Sequence, residues 1–210
     1  MVNVTEYGNV EYWETRFNEE DEFDWYHPWH GSYMKNDAPM TFKEELEAQG
    51  LTPDMKVLVV GCGNSTLSRD MYDSGYKNIT SLDFSPVVIK KMAKSNEGRD
   101  LAWHEADVRN MFVYTDGQFD AIIDKGCLDC VCAVERSTSQ MDLALNECLR
   151  VLGAGGLMLS LSYSWDRAKY FTQEGWEAGP AEVAVEKPQA MGIQSDVDPN
   201  YCLYVYKKVA

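Results

Sequence analysis

Val57-Leu58-Val59-Val60-Gly61-Cys62-Gly63-Asn64-Ser65, answered about 20 residues later by Ile79-Thr80-Ser81-Leu82-Asp83, is the stretch that decides the fold. Four consecutive apolar residues, mostly β-branched, suit a parallel strand buried on both faces. Gly61 and Gly63 then permit a tight turn without Cβ clashes, and Asn64 or Ser65 is placed to cap the helix that follows. The start of that helix offers free N–H groups to a polar or negatively charged ligand. Asp83 closes the next strand at the spacing from which a carboxylate accepts both hydroxyls of a ribose. The pattern predicts a nucleoside-cofactor site at a strand-to-helix turn.

Outward from this turn, runs rich in valine or isoleucine alternate with helical patterns from about residue 34 onward, the signature of an α/β domain with a parallel sheet. Strands are expected near 56–61, 79–83, 101–106, 119–124 and 155–162, and helices over 65–75, 86–95 and 138–152. The last helix carries Met141, Leu145, Cys148, Leu149 and Leu152 at helical spacing and ends at Gly153, Gly155 and Gly156. Beyond residue 172, Val183-Ala184-Val185 and Cys202-Leu203-Tyr204-Val205-Tyr206 flank a polar loop and predict an antiparallel hairpin at the sheet edge. Five parallel strands plus a C-terminal antiparallel hairpin, with helices on both faces, is the seven-stranded, Rossmann-like class I methyltransferase arrangement. Thr66 stands where a dinucleotide fingerprint has its third glycine, so close helix packing around a pyrophosphate is disfavoured. S-adenosylmethionine is therefore favoured over a nicotinamide or flavin nucleotide. One domain, 1–210, is expected, with residues 1–33 as an aromatic-rich extension over the cofactor site.

The composition narrows the function classes. Of 210 residues, 34 are acidic and 19 basic, a formal charge of −15. That balance argues against nucleic-acid phosphate as the main partner and would attract a basic one, although acidity serves solubility as well. No apolar stretch is long enough to span a bilayer, and the N-terminus has no basic region followed by an apolar one. A cytoplasmic, unsecreted protein is expected. Cys127, Cys130 and Cys132 are interleaved with apolar residues and lack a second pair or a nearby histidine, so they read as small apolar side chains and not as a zinc site. His27, His30 and His104 are too scattered for a metal centre, and no metal is expected.

Several longer signatures run through nearly the whole chain: Glu6-Tyr7-Gly8-Asn9-Val10-Glu11-Tyr12-Trp13, Asp24-Trp25-Tyr26, Val57 through Leu67, Val87-Val88-Ile89-Lys90-Lys91-Met92 and Asp124-Lys125-Gly126-Cys127-Leu128-Asp129. They resemble the methyltransferase-like 13 family, which includes elongation factor 1A lysine methyltransferases. The chain is similar to one such domain, without the second methyltransferase domain that some members carry. The resemblance implies that Gly61 and Gly63 line the cofactor turn, that Asp83 and Phe84 hold the ribose and flank the adenine, and that Asp107 with Val108 receives the adenine edge. Val59 stands where generic members of the superfamily carry an acid. The resemblance instead assigns Trp13, Phe17, Trp25 and Lys125 to the cofactor site, with Lys125 placed to meet the cofactor carboxylate. An aromatic face also favours a cationic sulfonium.

The implied activity is methylation of a protein lysine in a basic, elongation factor 1A-like substrate. A lysine ammonium, with a pKa near 10.4, must lose a proton before it can act as a nucleophile. Asp124 and Asp129 flank Lys125 after the fourth strand, where open α/β sheets build their sites, and are the candidate catalytic acceptors; either also suits a helix cap. Three readings stay open beside this one: methylation of a protein N-terminal amine or a small molecule, a cofactor-binding interaction module without turnover, and, more distantly, a nicotinamide oxidoreductase. A monomer is favoured.

Overall fold

The computed structural model describes residues 4–135, 138–177, 181–188 and 198–210. After a 3₁₀ turn at Val4–Gly8, the chain runs α1 (Val10–Glu19), β1 (Ser32–Lys35), β2 (Ala38–Thr41), α2 (Phe42–Ala48), β3 (Val57–Val60), α3 (Leu67–Asp73), β4 (Ile79–Asp83), α4 (Pro86–Ser95) and β5 (Ala102–Glu105). There follow β6 (Phe119–Lys125), α5 (Cys127–Glu135), α6 (Thr138–Val151), β7 (Leu152–Ser162), a 3₁₀ turn at Ala168–Tyr170, β8 (Ala181–Glu186) and β9 (Asn200–Lys207).

Seven strands form one sheet in the order β5-β4-β3-β6-β7-β9-β8. The first five are parallel, and β9 pairs antiparallel with both β7 and β8, as the sequence predicts. The alternation of side chains along β3 builds both faces of the core. Val57 and Val59 pack in one apolar layer with Leu67 and Met71 of α3 and with Val88, Ile89 and Met92 of α4. Leu58 and Val60 pack in the other with Leu128 of α5 and with Met141, Leu145 and Cys148 of α6. Burying each such side chain contributes about 1.5–3 kcal/mol, which is why a fully apolar run suits the centre of the sheet.

The parallel register brings the functional ends together. Val60 pairs with Leu82 on one side and Asp124 on the other, so Gly61, Asp83 and Lys125 leave the sheet at one edge. Since the chain runs to opposite sides of β3 at this point, a crevice opens there.

The helix after the glycine turn starts at Leu67, later than the expected residue 65, and Thr66 is its N-cap without a side-chain cap bond. Asn64 does not cap it; Ser65 Oγ accepts the Leu67 N–H at 3.1 Å. Four elements go beyond the sequence reading: α1, α2, α5 and the hairpin β1–β2. Asn36 and Asp37, both at positive φ, turn that hairpin, as short polar side chains tolerate. Among the described residues, no helix is long and apolar enough to cross a membrane.

Candidate active site

At the crevice lies a cavity of about 850 Å3, within the size range of ligand pockets. Its floor is the glycine turn. Gly61 and Gly63 have φ of +57° and +51°, and a Cβ at Gly61 would come within 2.5 Å of Cys127 Cβ and Sγ. A Cβ at Gly63 would stand 3.6 Å from the Phe17 ring, which faces the turn from the cover.

Asp83 lines the cavity from the end of β4 and is buried. Its carboxyl accepts the Gly63 and Ser85 N–H groups, each at 3.0 Å, and so ties the turn to the next strand. Burial pushes its pKa up to about 6, with those backbone donors pulling the other way. Two acceptor oxygens with about four lone-pair sites leave capacity for hydroxyl donors from a ligand. Phe84 and the buried Val108 complete this wall. Asp107 also lines it, but Arg109 takes both of its oxygens, at 2.9 Å from Nε and 2.6 Å from Nη2. The expected acceptor of an exocyclic amine is thus already paired with a guanidinium.

The cover is aromatic. Trp13 and Phe17 lie one helical turn apart on the buried face of α1 and stack at 5.5 Å between ring centroids. The Trp13 Nε1–H donates to the Tyr7 carbonyl at 2.6 Å. Trp25 stands at 6.2 Å from Trp13, edge to face, and all three rings line the cavity.

Lys125 lines the cavity as expected, but the structure gives its ammonium a partner within the chain: Asp24 Oδ1 at 2.6 Å. The Lys125 side chain is 5% exposed and that of Asp24 15%, so the pair is buried, and Nζ also donates to the His27 carbonyl. Asp24 further accepts the hydroxyls of Ser65 and Thr66. Burial alone would raise the Asp24 carboxyl, but the Lys125 charge and these hydrogen bonds outweigh it and hold the pKa below the usual range. Lys125 therefore ties the cover to the floor through Asp24 while still lining the cavity.

The two candidate acids separate. Asp124 is 2% exposed and is not part of the cavity lining. It accepts Ser160 Oγ–H at 2.6 Å and the Leu128 N–H at 3.2 Å, holding the start of α5, and burial pushes its pKa up to about 7. Asp129 lines the cavity and collects four donors: Tyr26 Oη–H at 2.6 Å, Ser162 Oγ–H at 2.7 Å, Arg167 Nε–H at 2.8 Å and the Tyr163 N–H at 2.9 Å. Burial first, then the Asp129 charge, push the Tyr26 phenol upward.

Sequence reasoning missed Asp24, Tyr26 and Arg167 as site residues. The first two stand in the quoted Asp-Trp-Tyr run, where a carboxylate among aromatics was the available signal. Arg167 comes from the loop after β7 and has no local signal.

Likenesses to known proteins bear on this geometry. A family model described as a methyltransferase domain matches residues 58–160, the span from β3 into β7. The chain is 34% identical to the human "eEF1A lysine and N-terminal methyltransferase" over 96% of its length, but it spans only 28% of that protein. It is 31% identical to the mouse "EEF1A lysine methyltransferase 4", over 82% of this chain and 68% of that one. The fold is shared with a Burkholderia thailandensis N-methyltransferase solved with bound S-adenosylhomocysteine, at a TM-score of 0.55 and 15% identity over 74% of this chain and 72% of that one. With the glycine turn, the acidic end of the second parallel strand and the terminal hairpin all in place, this likeness over most of both chains means that the protein belongs to the eEF1A lysine methyltransferase family.

Proposed function

We propose that the chain is a cytosolic, monomeric S-adenosylmethionine-dependent methyltransferase of a single domain, and that it modifies a lysine of a basic, elongation factor 1A-like protein. The observation that carries this reading is the joining of the open glycine turn and the buried Asp83 carboxyl beneath an aromatic cover. These residues fit the cofactor: a Cβ on Gly61 would collide with α5, the Asp83 oxygens have capacity for ribose hydroxyls, and Trp13, Phe17 and Trp25 line the cavity with aromatic surface, with the Arg16 guanidinium already lying over the Trp25 ring at 4.6 Å. When bound, S-adenosylmethionine supplies a methyl group on a reactive sulfonium, so no metal is needed.

The chain's own work is alignment and exclusion of water. The aromatic cover and the buried strand ends surround the reacting groups with apolar surface, which disfavours a charged acceptor ammonium and lowers its pKa. Asp129 is the lining carboxylate on the α5 wall and our candidate proton acceptor; its four donors fill its oxygens in the free protein, so one of the hydroxyl donors, Tyr26 or Ser162, has to turn away before it takes the proton, while Arg167 fixes its orientation. Asp124 serves from below by holding the first turn of α5 against β7.

Incubation with S-adenosylmethionine and purified elongation factor 1A, followed by peptide mass spectrometry, should reveal methyl groups on a lysine side chain. The human relative is also named for an N-terminal activity, and label on the α-amino group alone would move the acceptor to that group. Removing residues 1–30 should abolish cofactor binding by calorimetry; unchanged affinity would remove the cover from the cofactor site.

A further inference from the structure

Beside the cavity, the chain binds one of its own lysines in an unusual way. Lys187 follows β8, and its main-chain N–H donates to the Pro199 carbonyl, which sets the residue beside the start of β9. Its ammonium lies 4.1 Å from the centroid of the Tyr163 ring and 5.1 Å from that of Tyr201. Nζ donates to the Asp198 carbonyl at 2.8 Å. In a chain with 34 acidic residues, no carboxylate among the described residues forms an ion pair with it. Two aromatic faces and one main-chain oxygen therefore touch the ammonium, and the Asp198 carboxylate attracts it through space without pairing. Burial disfavours the charged form and pushes the Lys187 pKa down.

The patch is continuous with the active site. Tyr163 lines the cavity, is 52% exposed, and donates its N–H to Asp129. Tyr201 packs at 4.6 Å from the Tyr26 ring, whose hydroxyl also donates to Asp129. One ring thus faces both the ammonium and the cavity that holds the candidate proton acceptor. The chemistry recognised there is an alkylammonium on a flexible stem, since only such a group presents a compact charge to two ring faces.

We infer that the faces of Tyr163 and Tyr201 form a subsite for a lysine side chain of the acceptor protein, which Lys187 occupies until the acceptor displaces it. This rests on the methyltransferase reading above. Lys187 then acts as an internal competitor: it shields the rings in the free protein and raises the acceptor concentration needed for turnover. Any basic segment that enters must exchange its ammonium for that of Lys187.

The test pairs a binding measurement with a kinetic one. Wild type, Lys187→Met and Tyr163→Leu, alone and combined, are titrated with tetralysine amide by calorimetry, then assayed on elongation factor 1A. Lys187→Met keeps the apolar stem and the main-chain bond but removes the competing charge. It should tighten tetralysine binding about threefold and lower KM for the acceptor by a similar factor, the change falling on KM and not on kcat. Tyr163→Leu should weaken binding and cancel the gain in the double variant. Unchanged or weaker tetralysine affinity in a folded Lys187→Met protein would overturn the proposal and leave Lys187 as a clamp on the β8–β9 hairpin. If wild type methylates no protein yet Lys187→Met still tightens tetralysine binding, the subsite stands and the methyltransferase reading fails.

Discussion

The glycine turn after β3 and the aromatic segment that closes over it meet in one cavity, yet only the first is held by its neighbours in sequence. Gly61 and Gly63 sit between a buried strand and the helix it feeds, and the Asp83 carboxyl that braces them comes from the adjoining parallel strand. The cover has no such frame. Asp24 reaches Lys125 across about a hundred residues of chain, and Tyr26 reaches Asp129 across a similar span. A floor made by local geometry tolerates little change of shape. A cover of packed aromatic rings that is tied down by a few long-range polar contacts tolerates little change of charge.

The largest test of this contrast is Asp24→Asn, which leaves the Lys125 ammonium buried without its ion-pair partner and with only the more distant attraction of Asp70. A buried pair broken on one side costs about 3 kcal/mol or more, so the melting temperature should fall by roughly 6–12 °C. Asp24→Asn with Lys125→Met should regain much of that loss; if the double variant melts as low as the single one, the cover is not held by charge. Next comes Gly61→Ala, which adds a Cβ against Cys127 at a positive φ. Differential scanning calorimetry should register a loss of about 2 kcal/mol, with cofactor affinity falling as well. Wild-type stability would mean that α5 can shift to admit the methyl group.

Tyr26→Phe is smaller: it keeps the ring but removes one of the four donors on Asp129, a charged hydrogen bond contributing about 1.5 kcal/mol. Loosening of the cover should appear as faster amide exchange at residues 22–27 than in β3.

The smallest effect is on pH, where floor and cover have opposite signs. The folded pKa values of Asp83 and Asp124 are raised by burial to about 6 and 7 from 3.8, so their contribution is complete below pH 3.8 and lost as pH rises through 6 to 7. The Asp24 carboxyl is held low, so its contribution is present above 3.8 and lost as pH falls through its depressed folded value. Lowering the pH from 8 to 6.5 should therefore raise the melting temperature by roughly 2 °C, and Asp124→Asn should flatten that rise. An equal rise in the variant would assign the slope to other groups.

The parallel strands, the terminal hairpin, the glycine turn and Asp83 were legible because each is written in neighbouring residues: apolar runs, glycines at a turn, an acid at a fixed distance. The resemblance also led to Trp13, Phe17 and Trp25, which the structure brings to the same cavity. The roles of charged groups were not legible in the same way. Lys125 and Asp124 stand side by side in sequence, but alternation along β6 sends the lysine to the cavity and the aspartate beneath it.

By itself, the sequence determined that a buried parallel strand ends in an open turn facing an acid on the next strand, because backbone sterics and side-chain alternation act over a few residues. Only the tertiary structure decided that Lys125 belongs to Asp24, that Asp107 belongs to Arg109, and that Asp129 gathers donors from the cover, from β7 and from the loop beyond it. An ion pair forms with whichever partner the fold brings within reach once water is removed, and no spacing along the chain encodes that distance.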